Sequence, residues 1–456
     1  MEFNTLIFIF ILFPLYIFPM FLVKNNVFRN IFTLIYSLLF YYFGDFKYFL
    51  LLIFIILFTY IYGIFIKKYN NKLNYAVYLI LMIGFLSFFK YGNYFINDIL
   101  SFLKDFNIEK LIMPLGVSFY TFTSISYVSD CYYNKIEADK SILNVATYIT
   151  FFPTIVSGPI LRYDNFKNFL AEKNINFDTI ACGLRRFIIG LFKKVIISNQ
   201  LAIIVTALFN PNAQLSFPLA WLGAFAFMLQ LYYDFSSYSD MAIAIASMVG
   251  FKIPENFNDP YMSTSIQEFW RRWHISLGSW FKDYIYIPLG GSRVSTLRWI
   301  FNTMVVWLFT GMWHGSTFGF VAWGIYNGIL IILNKLLISK IKLPKFISWI
   351  ITQFMVLFGF LIFRVNGISQ LKSFIKGMIG LGPSIDIFYI KYLDIHYLWP
   401  YVLIAIIFIF PIFKNLFHKI ENKLPIVYDL ILLIMFGISV VFIISGSYSS
   451  FIYAGF

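Results

Sequence analysis

The stretch YFLLLIFIILFTYIYGIFI (Tyr48–Ile66) carries no charged side chain and is followed at once by Lys67 and Lys68. A helix rising about 1.5 Å per residue crosses a hydrocarbon core of roughly 30 Å over this length. In lipid every backbone N–H and C=O must be satisfied within the segment, so the run is read as a membrane-spanning helix with its basic end in the headgroups.

Working outward, the same pattern recurs along the chain. Further spans are expected at roughly 6–23, 76–89, 219–233, 320–337, 347–363, 398–413 and 430–444. Shorter or Pro/Gly-broken apolar runs lie near 31–43, 112–128, 148–161, 187–205 and 299–309. Segments too short to span upright are buried in protein, tilted or re-entrant. The expectation is an all-α polytopic membrane protein with about ten to thirteen transmembrane or re-entrant helices. It is read as a single membrane domain over 1–456.

Composition agrees. Of the 456 residues, 60% are hydrophobic, 22% aromatic and only 12% charged, against about 25% charged in soluble domains. The net charge of +14 is not a nucleic-acid signal. The basic residues sit in short loops between apolar runs, where they serve as cytoplasmic anchors and contacts for anionic membrane lipids. Lys24 and Arg29, then Lys67, Lys68 and Lys72, then Lys414, Lys419 and Lys423 mark such loops. Placing them in the cytoplasm puts the N-terminus outside a multi-pass protein of the cell membrane. Only Glu2 precedes the first apolar run, so that run is read as a retained helix and not a cleaved signal. Cys131 and Cys182 have neither CxxC nor metal-ligand spacing, and no metal is expected.

One stretch breaks the apolar pattern, from about Lys252 to Arg298. Ser265-Ile-Gln-Glu268 reads as a capping box. Phe269, Trp270, Trp273, Leu277, Trp280, Phe281 and Tyr284 then share one helical stripe, with Arg271, Arg272, Ser279 and Lys282 opposite. The pattern predicts one amphipathic helix at the membrane interface.

Among four histidines, His396 and His418 read as loop residues. His314, in Gly311-Met-Trp-His-Gly315, lies between apolar runs. An ionisable group at membrane depth is costly and usually lines a polar cavity. Neutral imidazole can take a proton from a hydroxyl near pH 7, which makes His314 a candidate general base. The alternative is a hydrogen-bonded core histidine. His274, at the edge of the aromatic stripe, could orient a substrate, complete a relay or support packing. Asp234 and Asp240, in a Tyr/Ser-rich segment, could instead form a proton path or a helix-break network. The sequence holds no HExxH, P-loop or GxSxG motif, so metal-dependent hydrolysis, ATP hydrolysis and serine esterase chemistry find no support.

At these residues the chain resembles the bacterial membrane-bound O-acyltransferases of the alginate O-acetyltransferase type. The matching text is LYYDFSSYSDMAIA from Leu231, Pro254–Tyr261, Glu268–Leu277, Trp280–Arg293 and Gly311–Gly315. Pro114–Tyr120 and Phe152–Pro159 also fit, so the family-like core covers about 90–335. The resemblance implies a helical barrel around a central tunnel, with the family's invariant histidine at His314 and its second histidine at His274. It implies acyl transfer, most simply of acetyl, from a cytoplasmic thioester such as acetyl-CoA to a polysaccharide acceptor, with no bound cofactor. A secreted or membrane-anchored acyltransferase partner would complete the transfer. Many members carry a histidine where this chain has Asn327, in Trp323-Gly-Ile-Tyr-Asn327. Arg271, Arg272, Lys282, Asp234, Trp313 and Asn327 are therefore the candidate substrate-binding residues, the three cations for donor phosphates by charge alone. D-alanyl transfer to teichoic acid, a polysaccharide exporter and a scaffold subunit are the competing readings.

Overall fold

The computed structural model describes residues 2–94, 111–384, 389, 391, 394–446 and 450–452. The segment 95–110 of the family-like core lies outside the described residues. All regular structure among the described residues is helical. The first eleven helices are α1 (Phe13–Leu22), α2 (Asn26–Gly44), α3 (Phe49–Lys68), α4 (Lys72–Tyr94), α5 (Val117–Tyr132), α6 (Ile142–Thr150), α7 (Phe152–Ile155), α8 (Tyr163–Ala171), α9 (Phe177–Phe192), α10 (Asn199–Leu208) and α11 (Phe217–Met248). Then come α12 (Ile266–Arg272), α13 (Ile275–Phe281), α14 (Thr296–His314), α15 (Phe318–Leu336), α16 (Lys345–Arg364), α17 (Ile368–Met378), α18 (Trp399–Ile409), α19 (Pro411–Lys423) and α20 (Pro425–Ile444).

Seven described segments are long and apolar enough to cross a membrane: Asn26–Gly44, Phe46–Lys68, Lys72–Asn93, Phe177–Leu208, Phe318–Lys340, Lys345–Arg364 and Pro425–Ile444. An eighth would be α18 with α19, a pair bent by 77°. The expected runs at 6–23, 112–128, 148–161, 219–233 and 299–309 are not among these segments; 219–233 falls within the 32-residue α11, and the others coincide with shorter or more polar helices. The first apolar run is one of these, a π turn at Phe8–Leu12 leading into α1. The run expected at 398–413 is not one helix. Pro411 lacks an N–H and biases its predecessor away from the helical region, and Phe410 is extended at φ −80°, ψ 133°.

Two compact units emerge. The first comprises Met1–Phe187, Tyr238–Glu255 and Ser450–Phe456. Its core is aromatic: Phe152 lies 4.7 Å from Tyr16 and 4.8 Å from Tyr36, and Phe3 stacks on Tyr238 at 5.0 Å. The last carbonyls of a helix have no intrahelical donor. Here α2 supplies them to the end of α8, through Asn26 Nδ2 to the Ala171 carbonyl (3.0 Å), Asn30 Nδ2 to that of Leu170 (2.9 Å) and Arg29 Nη1 to that of Lys173 (3.0 Å). Arg186 donates to Asp240 at 2.8 Å and to Glu255 at 2.6 Å, tying α9 to α11 and the segment beyond it.

The second unit comprises Ile188–Ser237 and Asn256–Ser449. Its decisive element is the hairpin of α14 and α15, joined by Gly315-Ser-Thr317. A Cβ on Gly311 would lie 2.5 Å from the Phe320 carbonyl oxygen, and one on Gly324 would lie 2.5 Å from that of Trp307. Only glycine lets the two backbones approach so closely, the small-residue packing that membrane helices favour. Gly319 likewise meets the carbonyls of Ile362 and Val365 at the end of α16. These contacts fix the end of α14, where His314 sits.

The single amphipathic helix expected over the aromatic stripe is corrected by the structure. Its faces are largely as read: Phe269, Trp273, Leu277, Trp280, Phe281 and Tyr284 are buried and Arg271, Ser279 and Lys282 exposed, but Trp270 and Arg272 are each half-buried. The helix is broken, however. Trp273 is extended and His274 is left-handed at φ 44°, ψ 55°. Backbone bonds from Ile275 N–H to the Asn256 carbonyl (2.9 Å) and from Asn258 N–H to that of Arg272 (3.0 Å) capture the break. The capping box is also modified. Ser265 Oγ accepts from the Glu268 N–H at 3.2 Å, but the Glu268 carboxylate accepts from the N–H of Thr264 at 2.9 Å, not of Ser265.

Candidate active site

His314 ends α14, buried at 5% exposure in an aromatic setting. Trp313 lies 4.6 Å from its ring, Phe363 4.8 Å, Trp323 5.3 Å and Phe320 5.9 Å. Trp323 and Phe320 come from α15 and Phe363 from α16, so the glycine-mediated approach of these helices builds the setting. Such walls exclude water and strengthen any electrostatic interaction with the imidazole.

His274 caps α13 at 4% exposure. Phe235 packs edge-on at 4.5 Å, and Trp313 lies 6.4 Å away. Trp313 is thus a neighbour of both histidines. The tautomer of His274 follows from its partners. Asn256 Oδ1 accepts from the Ser276 N–H at 3.1 Å and from Ser276 Oγ at 2.9 Å, and a backbone N–H can only donate. The atom is therefore the amide oxygen, and His274 Nδ1, at 3.2 Å, must donate to it. Nε2 then carries the lone pair. Burial pushes the His274 pKa down to about 3, so the ring is neutral at physiological pH.

Asp234 is buried and paired with Lys194 at 2.7 Å, and Ser198 Oγ donates to it at 3.1 Å. Lys194 and Ser198 lie in a π turn, Lys193–Ser198, between α9 and α10. This local widening turns both side chains toward α11. Lys194 went unnoticed in the sequence, although a lysine inside the apolar run 187–205 was the available signal. Asn256 and Trp323 were also missed as individual residues, each lying inside a quoted motif.

The remaining candidates fall into place differently. Asn327 Oδ1 accepts from Trp270 Nε1 at 3.1 Å, and its Nδ2 donates to the Trp323 carbonyl at 2.9 Å. It therefore bridges α12 and α15 behind the aromatic wall. Arg272 pairs with Glu268 at 2.7 Å. Burial alone would raise the Glu268 carboxyl, but hydrogen bonds from Thr264 and the Arg272 guanidinium hold it below its ordinary value. Arg271 and Lys282 are exposed and do not join the histidines. Among the described residues no group of three or more His, Cys, Asp or Glu side chains is arranged to hold a metal ion.

Comparison with known proteins adds identity to this geometry. A family model described as MBOAT, membrane-bound O-acyltransferase family, matches residues 4–371. The probable alginate O-acetylase AlgI of Pseudomonas aeruginosa is 34% identical over 398 residues, covering 84% of this chain and 75% of its own length. The peptidoglycan O-acetyltransferase of Helicobacter pylori is 34% identical over 420 residues, covering 83% and 80%. The teichoic acid D-alanyltransferase of Bacillus subtilis is 30% identical over 278 residues, covering 56% and 69%.

Proposed function

This chain belongs to the membrane-bound O-acyltransferase family, and we propose that it moves an acetyl group from a cytoplasmic thioester, acetyl-CoA foremost, to hydroxyls of an extracytoplasmic polysaccharide. It is a multi-pass membrane O-acyltransferase. Acetyl is favoured over D-alanyl because the relatives named for O-acetylation match 83–84% of the chain, whereas the D-alanyl relative matches 56%.

The observation that carries the reading is His314, buried at the end of α14 against Trp313, whose ring also neighbours the neutral His274. As the acceptor oxygen attacks the thioester carbonyl, His314 takes the hydroxyl proton. The C–O ester bond forms and the C–S bond breaks. The proton then passes from the imidazolium to the departing thiolate, which leaves as the free thiol. With Nδ1 committed to Asn256, His274 offers only the Nε2 lone pair. It therefore accepts a hydrogen bond from substrate and orients it; it does not donate to an oxyanion. Trp313 and the aromatic wall keep water from competing for the acyl group.

The basic segment 340–345 and the basic helix α19, where the sequence predicts a loop over 414–423, favour a cytoplasmic placement for that end of the second unit, in the cell membrane, with the N-terminus outside. Where the acyl group passes first to a hydroxyl of a secreted or membrane-anchored acyltransferase, that partner completes the transfer to polymer. An exporter reading gains nothing from the aspartates, since Asp234 and Asp240 are each held in an ion pair.

The test is base-labile O-acetyl on envelope polysaccharide in a deletion strain complemented with wild type or His314→Ala at equal membrane expression. Restoration by wild type alone supports transfer through His314, with an expected fall of about 10²–10⁴-fold in the variant. Restoration by both would move a scaffold role ahead.

A further inference from the structure

The second unit holds a cavity of about 300 Å³ away from the histidines, walled by Met228, Tyr261, Trp349, Phe354, Leu357 and Phe410. Its walls come from α11, from the membrane span α16 and from the 77° break between α18 and α19. Gln353, the one amide side chain among the described residues of the wall, donates to the Ser263 carbonyl at 3.2 Å. The cavity therefore suits hydrocarbon.

Charge identifies what the hydrocarbon belongs to. Lys345 lies one helical turn before Trp349 on the same face of α16, and Lys414 lies one turn beyond Phe410. Both are exposed. Lys414 faces Asp259 at 3.6 Å, a loose surface pair that a lipid phosphate can outcompete. Past the break, α19 is amphipathic. Phe417 and Ile420 pack on Tyr428 and Leu432, while His418, Lys419 and Lys423 are exposed. A basic amphipathic helix at the end of a membrane-spanning run lies at headgroup level, where each lysine attracts anionic lipid.

We propose that this cavity is a binding site for one acyl chain of an anionic phospholipid, with its headgroup held between Lys345 and Lys414. The bound chain fills the angle that the Phe410–Pro411 break opens and holds α18 and α19 in their bent arrangement. This site is independent of the acyl-transfer reading.

The test is native mass spectrometry of the full chain released from nanodiscs of phosphatidylglycerol or of phosphatidylcholine. Wild type should retain one phosphatidylglycerol and no phosphatidylcholine. Leu357→Trp, which fills the cavity, should release it, with Met228→Phe as a second filling variant should the first fold poorly. Lys345→Gln and Lys414→Gln should each lower occupancy about fivefold. Equal retention by both filling variants would place the lipid elsewhere and overturn the site. Equal retention of phosphatidylcholine would overturn the anionic headgroup, and failure of wild type to hold any lipid would overturn the proposal as a whole.

Discussion

His274 Nδ1 donates to Asn256 Oδ1 at 3.2 Å, and the Ser276 N–H on the same oxygen leaves no other assignment. The relationship joins a left-handed residue at a helix break to the segment Asn256–Asn258, and it fixes which nitrogen of His274 carries the proton.

Acid stability follows from it. His274 has a folded pKa of about 3 against an unfolded value near 6.5. Between these values the unfolded chain binds a proton that the folded chain does not, so stability falls as pH falls through this window. His274→Gln should flatten the decline of the thermal midpoint between pH 6.5 and 4. Asn256→Asp places a carboxylate on Nδ1, raises the folded pKa and should flatten it also.

The close approach of α14 and α15 predicts a steric failure. In Gly311→Ala the new methyl would lie 2.5 Å from the Phe320 carbonyl, a backbone atom that cannot rotate away. The expected cost is about 1–3 kcal/mol, with activity falling further because His314 shifts. Gly437→Ala, which meets nothing within 4 Å, is the control. Thermal midpoints in detergent and acetyl transfer, measured together, check the pair.

The Lys194–Asp234 pair is almost fully buried. Removing one partner leaves a buried charge uncompensated, at about 3–5 kcal/mol, whereas replacing both with apolar groups is often near neutral. Lys194→Met and Asp234→Leu should each destabilise strongly and the double variant much less. Additive losses in this cycle would show that the two charges do not act as a unit.

Arg271 and Lys282 stand exposed beside the break. If they hold donor phosphates, Arg271→Ala and Lys282→Ala should raise the KM for acetyl-CoA and leave kcat nearly unchanged. Arg272→Ala should affect both, because Arg272 also holds Glu268. Steady-state kinetics in nanodiscs would separate these; unchanged KM in the first two would remove them from the donor site.

The sequence by itself determined that this chain is a helical membrane protein, because charge-free runs such as Tyr48–Ile66 have no other solution in lipid. It also singled out His314, since an ionisable residue between apolar runs is conspicuous. Periodicity divided the aromatic stripe from Arg271 and Lys282, because face assignment depends only on local geometry. What only the tertiary structure decided came from contacts distant in sequence. The break at His274 depends on Asn256, the pairing of Asp234 on a π turn at Lys194, and the bridge from Asn327 to Trp270 on the hairpin of α14 and α15. Hydrophobic periodicity records which face is buried; it carries no information about the distant polar group that captures a backbone N–H, and that is where the candidate site is set.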